Sequence, residues 1–237
     1  MLEIRNFSKS YKNGKKAVDN ISITLNKGEI FGFIGHNGAG KTTTIKAIVG
    51  ILDFEEGEIF IDGVSIKEDS IGAKRKIAYI PDNPDIYDSL TGIQYLNFVA
   101  DMYEVSSEER EKLIKYYSEK FEILPALGDL VSSYSHGMKQ KLVIISALIH
   151  KPKLLILDEP FVGLDPKASH LLKEEMKQLC KEGTAIFFST HVLEVAEKIC
   201  DKVAIIKGGK IVAEGNMDEV KGDSSLEDIF MELIDNE

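Results

Sequence analysis

The stretch GEIFGFIGHNGAGKTTTIKAIVGIL, residues 28–52, decides the fold. Its IFGFI portion is a short apolar run of strand character. TTTIKAIVGIL then carries Ile45, Ile48, Val49 and Leu52 at helical spacing. Between them, Gly35 to Thr42 fit the pattern G-x-x-x-x-G-K-[ST]. Gly35, Gly38 and Gly40 allow a backbone curl in which successive N–H groups point at a phosphate chain. The Lys41 ammonium can reach the β- and γ-phosphates, and the Thr42 hydroxyl is a ligand for Mg²⁺. A chance match arises in roughly one chain in a hundred of this length, and the flanking strand and helix make accident rarer still. Nucleotide binding is the reading that follows.

A second anchor lies downstream in KLLILDEPFVGLDP, residues 153–166. Leu154 to Leu157 form an unbroken apolar run, as expected of a strand buried on both faces of a parallel sheet. Two acids end it, and burying them without a purpose is costly. Asp158 is placed to hold the magnesium shell beside Thr42, and Glu159 to polarise or position an attacking water. Read alone, the acid pair also fits a solvated strand end; the phosphate cradle in the same chain favours the hydrolytic role. Asp165 is either functional or a turn residue before Pro166. A further strand, TAIFFST, ends at His191. A histidine there is more often structural, but strand ends are where nucleotides bind in open parallel sheets. Its imidazole can hydrogen-bond the γ-phosphate or the attacking water.

Shortly before the acidic strand comes YSHGMKQK, residues 134–141. Ser135 is a candidate N-cap, and the apolar run LVIISALI follows. Such a terminus favours an anion, so the chain holds a second anion-binding helix start besides the glycine loop.

Composition narrows the class. The 237 residues carry 43% apolar and 29% charged side chains, ordinary for a globular protein. A net charge of −10 argues against a nucleic-acid partner. MLEIRNFSKSY lacks the apolar core of a signal peptide, and no stretch approaches the apolar length of a membrane span. Cys180 and Cys200 match neither a zinc site nor a disulfide framework, so reduced, packed thiols in a cytoplasmic protein are expected.

Cradle, acidic strand end, terminal histidine and YSHGMKQK, in this order and spacing, resemble the nucleotide-binding subunits of ABC transporters over nearly the whole chain. The resemblance implies an α/β P-loop NTPase with a mainly parallel central sheet, an N-terminal antiparallel β subdomain and an inserted α-helical subdomain. It implies ATP and Mg²⁺ as ligands and Mg-dependent ATPase activity that drives transport, most like the free-standing subunits of bacterial exporter-type systems. Tyr11 looks like the aromatic that stacks on adenine, with Val18 beside it. The implied nucleotide contacts are Tyr11, Val18, Gly35, His36, Asn37, Gly38, Ala39, Gly40, Lys41, Thr42 and Thr43. The implied metal ligands are Thr42, Asp82 and Asp158. The implied catalytic set is Lys41, Ser135, Gly137, Glu159, Asp165 and His191. In this family two cassettes pack head to tail, and each signature helix caps the γ-phosphate held by the other. Ser135 and Gly137 would therefore serve a second nucleotide-binding subunit, identical or related. A transmembrane permease subunit is the other implied partner, holding the chain peripherally on the inner face of the membrane.

Two departures stand out. The family's Leu-Ser-Gly-Gly-Gln signature here has Tyr134, His136 and Met138 at its first, third and fifth places. His136 is either a surface residue or a pH-dependent donor. In YIPDNPDIYDSLTGIQYL, residues 79–96, Asp82 stands where the family commonly has glutamine. A carboxylate can still meet a hard cation, while its effect on coupling is open.

The expected organisation is one ABC domain. Residues 1–84 and 136–222 form the β subdomain and P-loop core, 85–135 the helical subdomain, and 223–237 a C-terminal helix. LEIRNF, AVDNISITL and GEIFIDGVSI alternate as antiparallel strands do. In SSEEREKLIKYYSEKF, Ser106 and Glu109 suggest a capping box, with Leu113, Tyr117 and Phe121 on one face. The aromatics of IYDSLTGIQYLNF are candidates for contact with the permease, with core packing the stronger expectation for most. VAIIKGGKIVAEG reads as a hairpin turning at Gly208 and Gly209. The competing functions are a non-transport ABC ATPase and a nucleotide-binding module with little turnover. The first usually shows a long coiled-coil insertion or tandem cassettes. A GTPase is disfavoured because NKGE precedes the loop and ends in Glu29.

Overall fold

The computed structural model describes residues 1–11, 14 and 16–235. Strands β1 (Leu2–Ser10) and β2 (Lys16–Leu25) pair antiparallel. β3 (Ile30–Ile34) runs into the glycine loop, and α1 (Lys41–Ile48) follows. β4 (Glu56–Ile61) and β5 (Val64–Ser65) complete a four-stranded antiparallel sheet, β2-β1-β4-β5. The short α2 (Ser70–Lys74) leads to β6 (Ile77–Ile80). Three longer helices come next: α3 (Gly92–Met102), α4 (Ser107–Lys120) and α5 (His136–Leu148). Strand and helix then alternate through β7 (Leu154–Asp158), α6 (Pro166–Lys181), β8 (Ala185–Thr190), α7 (Leu193–Ile199) and β9 (Lys202–Lys207). β10 (Lys210–Asn216) folds back on β9 through Gly208 and Gly209, which take φ of 54° and 84°. α8 (Met217–Lys221) and α9 (Leu226–Asp235) follow; residues 236–237 of the expected tail helix lie outside the described residues.

The second sheet has six strands in the order β10-β9-β3-β8-β7-β6, all neighbours parallel except β10 with β9. The mainly parallel central sheet and antiparallel N-terminal sheet expected from the sequence are therefore both present. Alternation along the central strands sorts side chains into two cores. Ile34, Leu157 and Phe188 face a layer of helices, whereas Phe33, Ile156 and Phe187 face α1 and the antiparallel sheet. Burial on both faces is why these strands read as unbroken apolar runs. Gly32 is required by packing: a Cβ there would lie 2.7 Å from Cys200 Sγ. Both thiols are free, and burial pushes that of Cys180 up to about 12, so neither is primed to react.

Local readings needed correction where tertiary partners intervene. α1 stops at Ile48 because Gly50 takes φ of +66° and the Leu52 N–H turns back to the Lys46 carbonyl at 3.0 Å. Leu52 thus lies beyond the helix. Ser106 Oγ accepts the Glu109 N–H at 3.3 Å, but the Glu109 carboxylate pairs with Lys151, so only half the box forms. The reciprocal box is made at α3, by Thr91 and Gln94. Tyr87 and Phe98 are exposed rather than in the core, and meet edge to face at 5.6 Å.

Just past α5, His150 stacks on Tyr103 with ring centroids 3.6 Å apart. Burial lowers its pKa from 6.5 to about 4, so the folded state favours the neutral ring. The cost of protonation is absent well above pH 6.5, grows as pH falls and is complete below about pH 4. His150→Phe retains an aromatic stack and removes the titration. In urea unfolding, its loss of stability between pH 7 and pH 4 is expected to be smaller than the wild type's by up to about 3 kcal/mol.

Candidate active site

Strand order builds the site. β3, β8, β7 and β6 lie side by side, and their C-terminal ends lead in turn to the glycine loop, His191, Glu159 and Asp82. This is the edge at which open parallel sheets bind ligands. A cleft of about 280 Å³ opens there.

Gly38 and Gly40 take φ of +83° and +118°. A Cβ on Gly40 would also lie 2.7 Å from the Ala17 carbonyl oxygen, so conformation and close approach both require glycine. α1 begins at Lys41 without a side-chain cap, which leaves free N–H groups and the positive end of its dipole at the cleft. The buried Lys41 ammonium donates to the Gly35 carbonyl at 2.6 Å and lies 3.3 Å from Glu159 Oε1. The second contact is one of charge alone, because that carboxylate oxygen has no hydrogen-bond partner. Tyr11 stands exposed at the rim, its hydroxyl 3.2 Å from Thr43 Oγ1.

The acids are held by β8. Ser189 Oγ donates to the buried Asp158 carboxylate, and the same hydroxyl accepts the Glu159 N–H at 3.2 Å. Glu159 has φ of +49°, a left-handed conformation that costs on the order of 1 kcal/mol in a residue with a side chain. Its carboxylate leaves the strand end towards the cleft, where Oε2 meets His191 Nδ1 at 3.0 Å. Desolvation, then the charges of Asp158 and Glu159, raise the Asp82 carboxyl above its ordinary range, with His136 and His191 pulling the other way.

The cleft is lined by Tyr11, His36, Asn37, Gly38, Gly40, Lys41, Thr42, Thr43, Asp82 and Glu159, all singled out from the sequence. Val18 and Ala39 are buried in the core instead, and Ala17 is the residue of β2 that reaches the cleft. Ser135, Gly137 and Asp165 are not among its lining residues. They gather at the start of α5, where Ser135 Oγ accepts the Met138 N–H at 3.3 Å. Asp165 caps α6, accepting the Ala168 N–H at 2.8 Å, and pairs with Lys141 at 3.0 Å. That amide and then Lys141 hold its carboxyl below the usual range. Ser189 escaped the sequence reading. Its only signal is its pairing register opposite Asp158, visible once β7 and β8 are side by side.

Thr42, Asp82 and Asp158 are hard oxygen donors of the kind Mg²⁺ takes. Among the described residues, no three His, Cys, Asp or Glu side chains form a metal cage by themselves. The remaining ligands would have to be phosphate oxygens and water, the usual arrangement for Mg²⁺ at a nucleotide.

A family profile described as ABC transporter matches residues 18–162. The chain is 36% identical over 238 residues to the ABC-type transporter ATP-binding protein EcsA of Bacillus subtilis (strain 168), covering 98% of this chain and 96% of that one. A solved structure described as the ATP-binding subunit of an ABC transporter is similar with a TM-score of 0.95 at 35% identity, covering 99% of both chains. The dimeric structure of MJ0796, a bacterial ABC transporter cassette, is similar with a TM-score of 0.83 at 25% identity, covering 92% of this chain and 99% of that one.

Ser189→Ala removes the donor to a buried carboxylate and the side-chain acceptor of the Glu159 N–H. Urea unfolding at pH 7 is expected to show a loss of about 1–3 kcal/mol, against a change within about 0.5 kcal/mol for Ser132→Ala on the surface.

Proposed function

The chain belongs to the ABC transporter family of ATP-binding proteins, and from that premise we propose that it hydrolyses MgATP as the motor subunit of a transporter. The observation that carries this reading is the Glu159 carboxylate, 3.3 Å from Lys41 Nζ and 3.0 Å from His191 Nδ1 beside the glycine loop. The triphosphate would lie along Gly35 to Thr43, its charge met by loop N–H groups, the α1 dipole and Lys41. Phosphate oxygens compete for the Lys41 ammonium with the Gly35 carbonyl and Glu159. Drawing Lys41 towards them frees the carboxylate to orient a water for in-line attack. His191 holds Glu159 in place through its Nδ1–H and its backbone N–H, and the other ring nitrogen, where it carries a proton, would donate towards the γ-phosphate. Tyr11, at the rim, would stack on adenine. Mg²⁺, held through Thr42, Asp158 and Asp82, would neutralise charge on the phosphates when bound.

A second cassette completes the site in this reading. Ser135 and Gly137 stand outside their own chain's cleft, at a helix start suited to an anion. They would cap the γ-phosphate held by a partner cassette, with Asp165 beside them. The dimeric state of the related MJ0796 cassette supports this arrangement. Residues 85–135 would act as a helical subdomain beside the core of 1–84 and 136–222, with 223–237 as a C-terminal appendage. The membrane path is assigned to a separate permease, which would hold the chain on the cytoplasmic face. No helix among the described residues is long and apolar enough to cross a membrane. The exposed Tyr87–Phe98 pair is the surface offered to that permease. The proposed direction is export, on the likeness to free-standing exporter-type cassettes.

Phosphate release with MgATP tests the enzymatic core of the proposal. Glu159→Gln is expected to lower kcat by about 10²–10⁴-fold while retaining ATP affinity and accumulating as a nucleotide-bound dimer in light scattering. Wild-type turnover no higher than that of the variant, with membrane partner present, ends the ATPase reading.

A further inference from the structure

We propose that His136 is a positioning residue for hydrolysis: its imidazole, seated against Gly163, fastens the turn between Glu159 and Asp165 to the start of α5. This deepens the ATPase reading and rests on it.

The contact is close and specific. A Cβ built on Gly163 would lie 2.5 Å from His136 Cδ2 and 2.7 Å from Nε2. The ring edge therefore fills the space that a side chain at position 163 would need. Gly163 also has φ of +79°, so glycine is demanded there twice over. With Cδ2 and Nε2 turned towards Gly163, the imidazole is committed to a turn of its own chain.

Two neighbouring contacts act on the same turn. A Cβ on Gly137 would lie 3.2 Å from the Gly163 carbonyl oxygen, so the two backbones run close together. Farther along α5, Lys141 Nζ reaches Asp165 Oδ2 at 3.0 Å, with the lysine side chain only 17% exposed. Asp165 in turn caps α6. The downstream end of the turn is thus tied to α5 and α6 together.

The upstream end is Glu159, in its left-handed conformation. It is held there by its N–H to Ser189 and by the Val162 N–H, which donates to its carbonyl at 3.2 Å. A strained residue keeps such a conformation only when both sides of it are fixed. β8 fixes one side; the His136–Gly163 contact fixes the other. Loosening it lets the turn relax and swings the carboxylate away from His191. Displacement of a catalytic group by about an ångström can cost about a hundredfold in rate.

A kinetic double-mutant cycle on the full chain, with MgATP and the membrane partner, tests this. His136→Gly alone is expected to lower kcat about threefold to tenfold, with KM for ATP within about twofold of the wild type. Gly163→Ala is expected to lower kcat about thirtyfold in the wild-type background but only about threefold in the His136→Gly background. The strain of alanine at positive φ is common to both backgrounds and cancels in the cycle. Equal costs in the two backgrounds, or effects confined to KM, would overturn the proposal. Should Gly163→Ala fail to fold, His136→Gly decides alone: an unchanged kcat overturns the proposal, and a fall in kcat at constant KM supports it. A wild type without turnover is a different result, which removes the ATPase reading and this inference with it.

Discussion

Parallel pairing of β8 with β3 on one side and β7 on the other is the constraint on which the rest of the molecule depends. Its register sets Ile34 beside Thr190 and Asp158 beside Ser189. The glycine loop, His191 and Glu159 therefore leave the sheet at one level, close enough for the Lys41–Glu159–His191 contacts to form. A slip of one residue would turn Asp158 to the opposite face of the sheet and part it from the Ser189 hydroxyl. Burial of both faces guards against such a slip, because Leu155, Leu157, Ile186 and Phe188 belong to one core and Leu154, Ile156 and Phe187 to the other.

The electrostatics of the cleft follow from the same alignment. Asp82, Asp158 and Glu159 crowd the strand ends, and the Asp82 carboxyl is raised by desolvation first and then by the charges of the other two. One lysine, Lys41, stands against them. An anionic ligand entering such a place needs further positive potential. The uncapped start of α1 and the curled loop supply part of it. A divalent cation accompanying the ligand would supply the rest and make use of the carboxylates that otherwise oppose binding. The excess of acid is thus better suited to a metal-bound triphosphate than to a bare one.

What the sequence disclosed, and what it did not, divides along the range of the interactions. The loop from Gly35 to Thr42 and the Leu154–Asp158 strand were legible because their chemistry is local: glycine conformations, an apolar run, a terminal acid. Ser135 as the cap of α5 was legible for the same reason. Ser189 was not, since nothing in FFST distinguishes a hydroxyl that holds two acids on a neighbouring strand. The place of Val18 was misread by one position because strand alternation turns Ala17 to the cleft and Val18 to the core. Glu109 was drawn away from its expected cap by Lys151, forty-two residues on in the chain. The aromatics of IYDSLTGIQYLNF are legible as contact candidates, but that Tyr87 and Phe98 are exposed rather than packed inward is not, because each is an ordinary core residue in isolation.

The helices that follow β6 are joined to this frame by polar ties as well as apolar packing. Glu175 of α6 is buried, accepts the Tyr117 hydroxyl of α4 at 3.0 Å and pairs with Lys120 of the same helix. A buried ion pair adds little net stability against an apolar replacement, but it penalises every arrangement that separates the partners. It therefore acts chiefly on orientation, by specifying how α4 lies across α6. α6 in turn begins at Asp165, the residue that Lys141 of α5 grips. α4, α5 and α6 are thus linked in a chain of charged contacts that ends at the turn carrying Glu159. The orientation of α4 is thereby tied, through α6 and α5, to the turn that bears the Glu159 carboxylate.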